Sequence, residues 1–253
     1  MNIVENVCIT DGIPTLVFSA EMSHEAITSR LMFSRAKFSK GDISRGYTPT
    51  KGDLQRIQRA SLEIASAKLF VDDTSGPSIN YIRAKSRRMV REHGIKFIAI
   101  DYLQLCKSTS KQAQFSRERE IAEISAGIKG LAKDLGIPIM ILAQLSRKVE
   151  DRAGKDGKKA RARMSDLRES GSIEQDADYV AFLSREDYQE GSDSENSGIA
   201  SCDLAKNRNG ATGLIPLTFV ADLMRFETGA PYPDGSQSEA KQSGGRWANR
   251  GGE

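Results

Sequence analysis

Four short apolar runs punctuate the first 144 residues: TLVFSA at 15–20, LFVDD at 69–73, FIAID at 97–101 and IPIMILAQ at 137–144. Each is rich in β-branched residues, shorter than a buried helix would be, and followed by a polar residue. This predicts strands covered on both faces. Between them the apolar spacing widens to three and four residues. Residues 23–39 open on a Ser with an acid close behind, residues 78–93 run into RREHG with Gly94 as a stop, and residues 116–135 place Ile121, Ile124, Ile128, Leu131 and Leu135 on one face before Gly136 and Pro138. These segments predict helices. Strands alternating with helices predict an α/β fold, a mostly parallel sheet with helices on both faces.

The pattern changes after Gln144. Residues 151–168 hold seven Lys or Arg against three Asp, with few apolar positions, and read as a basic loop. Residues 179–185 form another strand pattern, and 199–206 and 214–220 flank the turn NRNGATG as a hairpin. From residue 229 the chain turns to Gly, Ser, Pro and charge, so residues 1–228 are expected to form the folded domain and 229–253 a disordered tail.

Composition adds limits. At 253 residues, 38% hydrophobic and 28% charged, the chain can bury a full core. No apolar run reaches the roughly 18 residues of a membrane span, and the first residues lack a signal-peptide pattern, so no membrane role is expected. Three scattered cysteines form neither a disulfide framework nor a zinc spacing, as expected of a cytoplasmic protein. A net charge of only +3 means that any nucleic-acid contact must come from local patches.

The candidate chemistry lies at strand ends, where parallel sheets gather functional groups. Glu21 follows the first strand, Asp72 and Asp73 the second, Asp101 the third and Gln144 the fourth. Any one could merely start a loop. Together they are the parts of nucleotide hydrolysis: a carboxylate to activate water, another to hold Mg²⁺, and an amide to sense a phosphate. Lys206 and Arg208 lie two apart and would project from one side of a strand, either as a solvated turn or as cations for a transferring phosphate. Residues 165–178, SDLRESGSIEQDAD, combine Arg168 and Gly171, suited to phosphate contact, with Glu169 and further acids, which leaves their role open. The basic positions Arg83, Lys85, Arg87, Arg88 and Arg91 read as a solvated helix face. His24 and His93 show no metal partner.

The motifs LVFSAEMS, FVDDTSG, RREHG, IAIDYLQL, ILAQLSR, SDLRESGSIEQDAD and KNRNGATG together resemble the C-terminal RecA-like motor domain of the DnaB family of bacterial replicative DNA helicases, from about residue 2 to 226. The resemblance implies ATP and Mg²⁺ as cofactors, with Glu21 as general base, Asp101 as the Walker B carboxylate acting on Mg²⁺ directly or through water, and Gln144 coupling the γ-phosphate to the DNA loops. It implies that Lys206 and Arg208 reach the nucleotide of a neighbouring subunit in a homo-hexameric ring. Arg168, Glu169 and Gly171 would track single-stranded DNA at a fork, and primase and a helicase loader would be partners. The basic loop would face the same channel and read phosphate, not base identity.

One motif departs from that pattern. The family's phosphate loop is G-x-x-x-x-G-K-S/T, but Gly-Lys occurs only at 154–155 and 157–158, neither with the required Gly before nor Ser/Thr after. Because MNIVENV resembles the helix after that loop, the expectation is a RecA-like fold lacking its first strand and phosphate loop, in a truncated, inactive chain. Such a sheet would leave backbone groups unpaired along a whole strand. Two alternatives remain: another RecA-like ATPase of recombinase or clock type, and a non-hydrolysing fragment that binds DNA or poisons helicase rings.

Overall fold

The computed structural model describes residues 1–108, 110, 116–145, 162–164, 166–167, 171–185 and 198–229. The basic loop, save its last residues, Arg168, Glu169 and nearly all of the predicted tail lie outside them.

A short helix α1 (Asn2–Val4) runs on as a π-helical turn (Glu5–Thr10) into β1 (Thr15–Ser19). Then come α2 (His24–Ala36), α3 (Lys40–Ser44), α4 (Lys51–Ser66), β2 (Leu69–Asp72), α5 (Ile79–His93), β3 (Phe97–Asp101), α6 (Arg117–Leu135) and β4 (Ile139–Ile141). The four strands form one parallel sheet in the order β2-β1-β3-β4.

The alternation of side chains along a strand explains why the apolar runs are continuous. Leu16, Phe18, Ile98 and Ile100 pack on one face against Ile79, Ile82, Ile121, Ile124 and Ile128 of α5 and α6. Val17, Phe97 and Ala99 on the other face pack against Val4. The predicted helices form with local signals in place. The hydroxyls of Ser23 and Ser78 accept from Ala26 and Tyr81 amides, and Gly136 ends α6 at φ 64°, a left-handed conformation that glycine adopts without strain. The fourth strand is shorter than expected, since only Ile139–Ile141 pairs with β3.

Helix α4 was absent from the expected elements. It opens on a capping box: Thr50 accepts from the Asp53 amide while Asp53 accepts from the Thr50 amide. Thr50 and Arg56 hold the Asp53 carboxyl well below the usual carboxylate range. Its Ala60 joins Ala36 and Phe38 in a small separate core.

After α7 (Gly171–Asp176), β5 (Tyr179–Arg185), β6 (Ile199–Asn207), β7 (Gly213–Val220) and β8 (Arg225–Thr228) form an antiparallel sheet in that order. The expected hairpin is thus the middle of a four-stranded meander. Contacts on two sides tie it to the first layer. On one side Ile173 packs into the main core and Asp176 accepts from the Ser125 hydroxyl at 2.7 Å. On the other, Arg225 donates to Glu5 at 3.1 Å and Asn2 accepts from the Phe226 amide at 3.4 Å. The break between the sheets falls between β4 and β5. Among the described residues β4 pairs only with β3 and β5 only with β6, so each is an edge strand of its own sheet there.

Candidate active site

Parallel pairing brings the strand ends into one row. Ser19 stands opposite Asp101, Phe18 opposite Asp72, and Ile100 opposite Ile141. Beyond the strands the alignment continues, with the Ala20 amide donating to the Asp101 carbonyl at 2.9 Å and the Leu142 amide to the Ile100 carbonyl at 3.0 Å. The segments carrying Glu21, Asp101 and Gln144 therefore leave the sheet side by side.

Each segment is braced by a neighbour. The Ser19 hydroxyl donates to the Met22 carbonyl at 2.7 Å and accepts from the Met22 amide at 3.2 Å, closing a tight turn with Glu21 exposed on it. The peptide after Asp101 is cis, and Leu103 then returns to bond the Leu142 carbonyl at 2.9 Å. Gln104 clamps the third segment: its side-chain amide donates to the Gln144 carbonyl at 3.0 Å and its carbonyl oxygen accepts from the Gln144 amide at 3.2 Å. Sequence reasoning passed over Gln104 because it sits inside the apolar run YLQL.

The four acids at the strand ends differ sharply in company. Asp72 is buried and fully engaged, accepting from Tyr81 at 2.8 Å and the Thr74 amide at 3.2 Å and pairing with Lys85 at 3.0 Å. Burial raises its pKa, but the Tyr81, Lys85 and Thr74 bonds together outweigh that and leave it lowered. Asp73 accepts from both the backbone amide (3.0 Å) and Nδ1 (2.8 Å) of His24. By contrast, neither Glu21 nor the half-buried Asp101 has a side-chain hydrogen bond or ion pair among the described residues. A carboxylate kept free of protein partners suits a hard cation that takes one or two carboxylates and fills its other positions with water. Asp101 thus fits a Mg²⁺ ligand, and Glu21, exposed beside it, fits a base for water. The amino group of Met1 feels burial and Arg30, which lower its pKa, against Asp101 and Glu5, which raise it. The Met1 amino group therefore lies within electrostatic reach of Asp101.

His24 is exposed and sits in a structural cluster of charges. Its ring bridges Asp73 and Glu25, the latter at 3.2 Å, so the cluster satisfies itself as an ion-paired clamp between the Glu21 turn and the end of β2. The hydrogen bond to Asp73, then the charge of Glu25, raise its pKa above the ordinary 6.5. The sign follows directly: this contact contributes fully below the unfolded pKa and is lost as pH rises through the higher folded value. In a proton NMR titration His24 should titrate above 6.5, and Asp73→Asn should return it toward 6.5.

Lys206 ends up on β6 and Arg208 in the turn just beyond it, and both reach back to residues 174–178. The Lys206 ammonium bonds the Glu174 carbonyl. Arg208 donates to Asp178 at 3.0 Å and to the Gln175 carbonyl at 3.3 Å. Of the predicted DNA-contacting residues, Gly171 is exposed at the start of α7, while Arg168 and Glu169 lie outside the described residues.

A family model for the DnaB-like helicase C terminal domain matches residues 1–228. The replicative DNA helicase DnaB of Geobacillus stearothermophilus is 39% identical over 226 residues, which are 89% of this chain and 48% of that protein. The replicative DNA helicase DnaC of Bacillus subtilis strain 168 is 38% identical over 226 residues, with the same coverages of 89% and 48%. This chain therefore spans about half the length of the curated relatives it matches. Among solved structures, an ATPase domain superposes with a TM-score of 0.77 at 33% identity, covering 88% of this chain and 76% of that one. A DnaB-like replicative helicase, solved in a study of its interactions with primase, gives 0.76 at 33% identity, covering 86% and 51%.

Proposed function

Since the chain belongs to the DnaB-like helicase C terminal domain family and has its RecA-like fold, we propose that it is the motor part of an ATP-dependent replicative helicase that moves on single-stranded DNA and opens a fork. The observation that carries this reading is the pair of unpartnered carboxylates, Glu21 and Asp101, aligned with Gln144 at the ends of adjacent strands. Asp101 would hold Mg²⁺, whose chemistry when bound is to neutralise charge on the phosphates. Glu21 takes the proton of the attacking water. Gln104 keeps Gln144 in line, so that the amide sensing the γ-phosphate moves with the segment leading toward the DNA loops. Gly171, with Arg168 and Glu169, serves the DNA backbone.

Lys206 and Arg208 serve the nucleotide of a neighbouring copy in a homo-hexameric ring. Primase and a loader are the expected partners; the primase link is supported by the interactions that one structural relative was solved to examine. A cytoplasmic site of action follows from work on DNA. Among the described residues no helix is long and apolar enough to cross a membrane.

The 253 residues contain no G-x-x-x-x-G-K-S/T sequence. On its own the chain is therefore expected to hydrolyse no ATP, and it could enter a ring as a subunit that offers cations but has no phosphate cradle. Joining a strand and phosphate loop from a relative to Met1 should yield ATP-dependent strand displacement on forked DNA. Gln144→Ala in that protein should keep basal hydrolysis while losing most DNA stimulation. ATP binding without displacement would exclude the helicase reading in favour of another RecA-like ATPase.

A further inference from the structure

The two cations at the β6–β7 turn do not stand on their own. Arg208 is fixed through its backbone, whose amide donates to the Asp178 carbonyl at 2.9 Å, and through its guanidinium, which donates to Asp178 Oδ1 at 3.0 Å. The second Asp178 oxygen accepts from Lys129 of α6 at 2.5 Å. One carboxylate thus spans two elements, with Lys129 on the first sheet's helix and Arg208 on the second sheet. A guanidinium carries five N–H donors in a planar fork, and the bonds to Asp178 and Gln175 use two of them. Arg208 remains half exposed, at 51%, so the clamp fixes its direction while leaving donors for a phosphate.

We infer that Asp178 is the positioning residue that aims Arg208, and with it Lys206, at a neighbouring subunit's nucleotide, tying their placement to helix α6. This rests on the reading that the two cations act between subunits. Lys129, the main cause, holds the Asp178 carboxyl below the usual carboxylate range, so the clamp is ionised at neutral pH. α6 packs under β3, whose last residue is Asp101. A shift of α6 would therefore move the cations relative to this subunit's own site. Asp178 touches no substrate; its effect passes through Arg208. Misaligning a phosphate-stabilising cation by about 1 Å costs on the order of a hundredfold in rate.

The test is complementation. The Geobacillus stearothermophilus helicase, with its counterparts of Lys206 and Arg208 changed to alanine, is mixed with this chain and assayed for ATP hydrolysis. The unaltered chain should restore hydrolysis. Asp178→Ala should restore at least tenfold less kcat with KM for ATP within twofold, and Asp178→Glu should recover most of the loss. The variants' urea midpoints show that the chain remains folded. Full rescue by Asp178→Ala, with none by Lys206→Ala/Arg208→Ala, would overturn the positioning role and leave the cations' role standing. Rescue by the Lys206→Ala/Arg208→Ala chain, or none by the unaltered chain, would remove the intersubunit reading and the proposal together.

Discussion

Glu5→Ala is expected to lower the unfolding free energy by about 3 kcal/mol, the cost of breaking a buried ion pair from one side. Glu5 is only 2% exposed and lies between two guanidiniums, Arg225 at 3.1 Å and Arg35 at 3.5 Å, with the Ser34 hydroxyl at 3.4 Å. Arg35 keeps a second acid in Glu63. Arg225 loses its only short contact, while its buried Nε already lacks a hydrogen bond and its other acid, Glu227, stands at 3.6 Å. The effect should therefore be felt most at β8. Glu5→Gln keeps hydrogen bonding without the charge and should cost less. Urea denaturation followed by far-UV circular dichroism measures both, and hydrogen exchange should quicken in β8 more than in β3. A loss below about 1 kcal/mol for Glu5→Ala, typical of an exposed pair, would mean that this joint contributes little to holding the second sheet.

The second large effect concerns Asp101 in the chain completed with a strand and phosphate loop. Asp101→Ala should lower kcat for DNA-stimulated hydrolysis by at least about a hundredfold, the scale of losing one preorganised electrostatic contribution to a charged transition state. The Asp101 side chain makes no hydrogen bond or ion pair among the described residues, so its removal should leave the fold almost unchanged and fall on activity alone. Asp72 should behave in the opposite manner. With Tyr81, Lys85 and Thr74 depending on it, Asp72→Ala should reduce stability before chemistry. Hydrolysis within fivefold of normal for Asp101→Ala would remove Asp101 from the site.

The contrast between these two acids marks what the sequence could reveal. The FIAID strand was plain because both faces are covered and every position but the last is apolar. That the Asp101 side chain is unpartnered while Asp72 is occupied was not readable, since two of the three partners of Asp72 lie nine and thirteen residues further on in α5. Helix α4 escaped because Leu54 and Leu62 face outward and few positions are buried, although its T-x-x-D capping box could have marked its start. Asp178 was hidden among Glu174 and Asp176 in a stretch that reads as a solvated acidic run. Only the approach of Lys129 and Arg208, 49 and 30 residues away, gives it a role. The spacing of Lys206 and Arg208 drew attention to both, but β6 ends at Asn207, so Arg208 is placed by its bonds to Asp178 and Gln175 and not by strand alternation.

The edge position of β5 bears on the life of the protein in a cell. Along this strand Tyr179, Ala181 and Leu183 are exposed on one side, beside main-chain groups that no neighbouring strand occupies among the described residues. Native edges are usually blunted by lysine, proline or a covering loop, because an apolar ladder recruits any extended segment it meets. Nascent chains and unfolded proteins provide such segments in abundance. Were that edge left uncovered, β5 would be a handle for chaperones and proteases, and the steady-state amount of this polypeptide would be governed less by its folding free energy than by how soon the edge is covered.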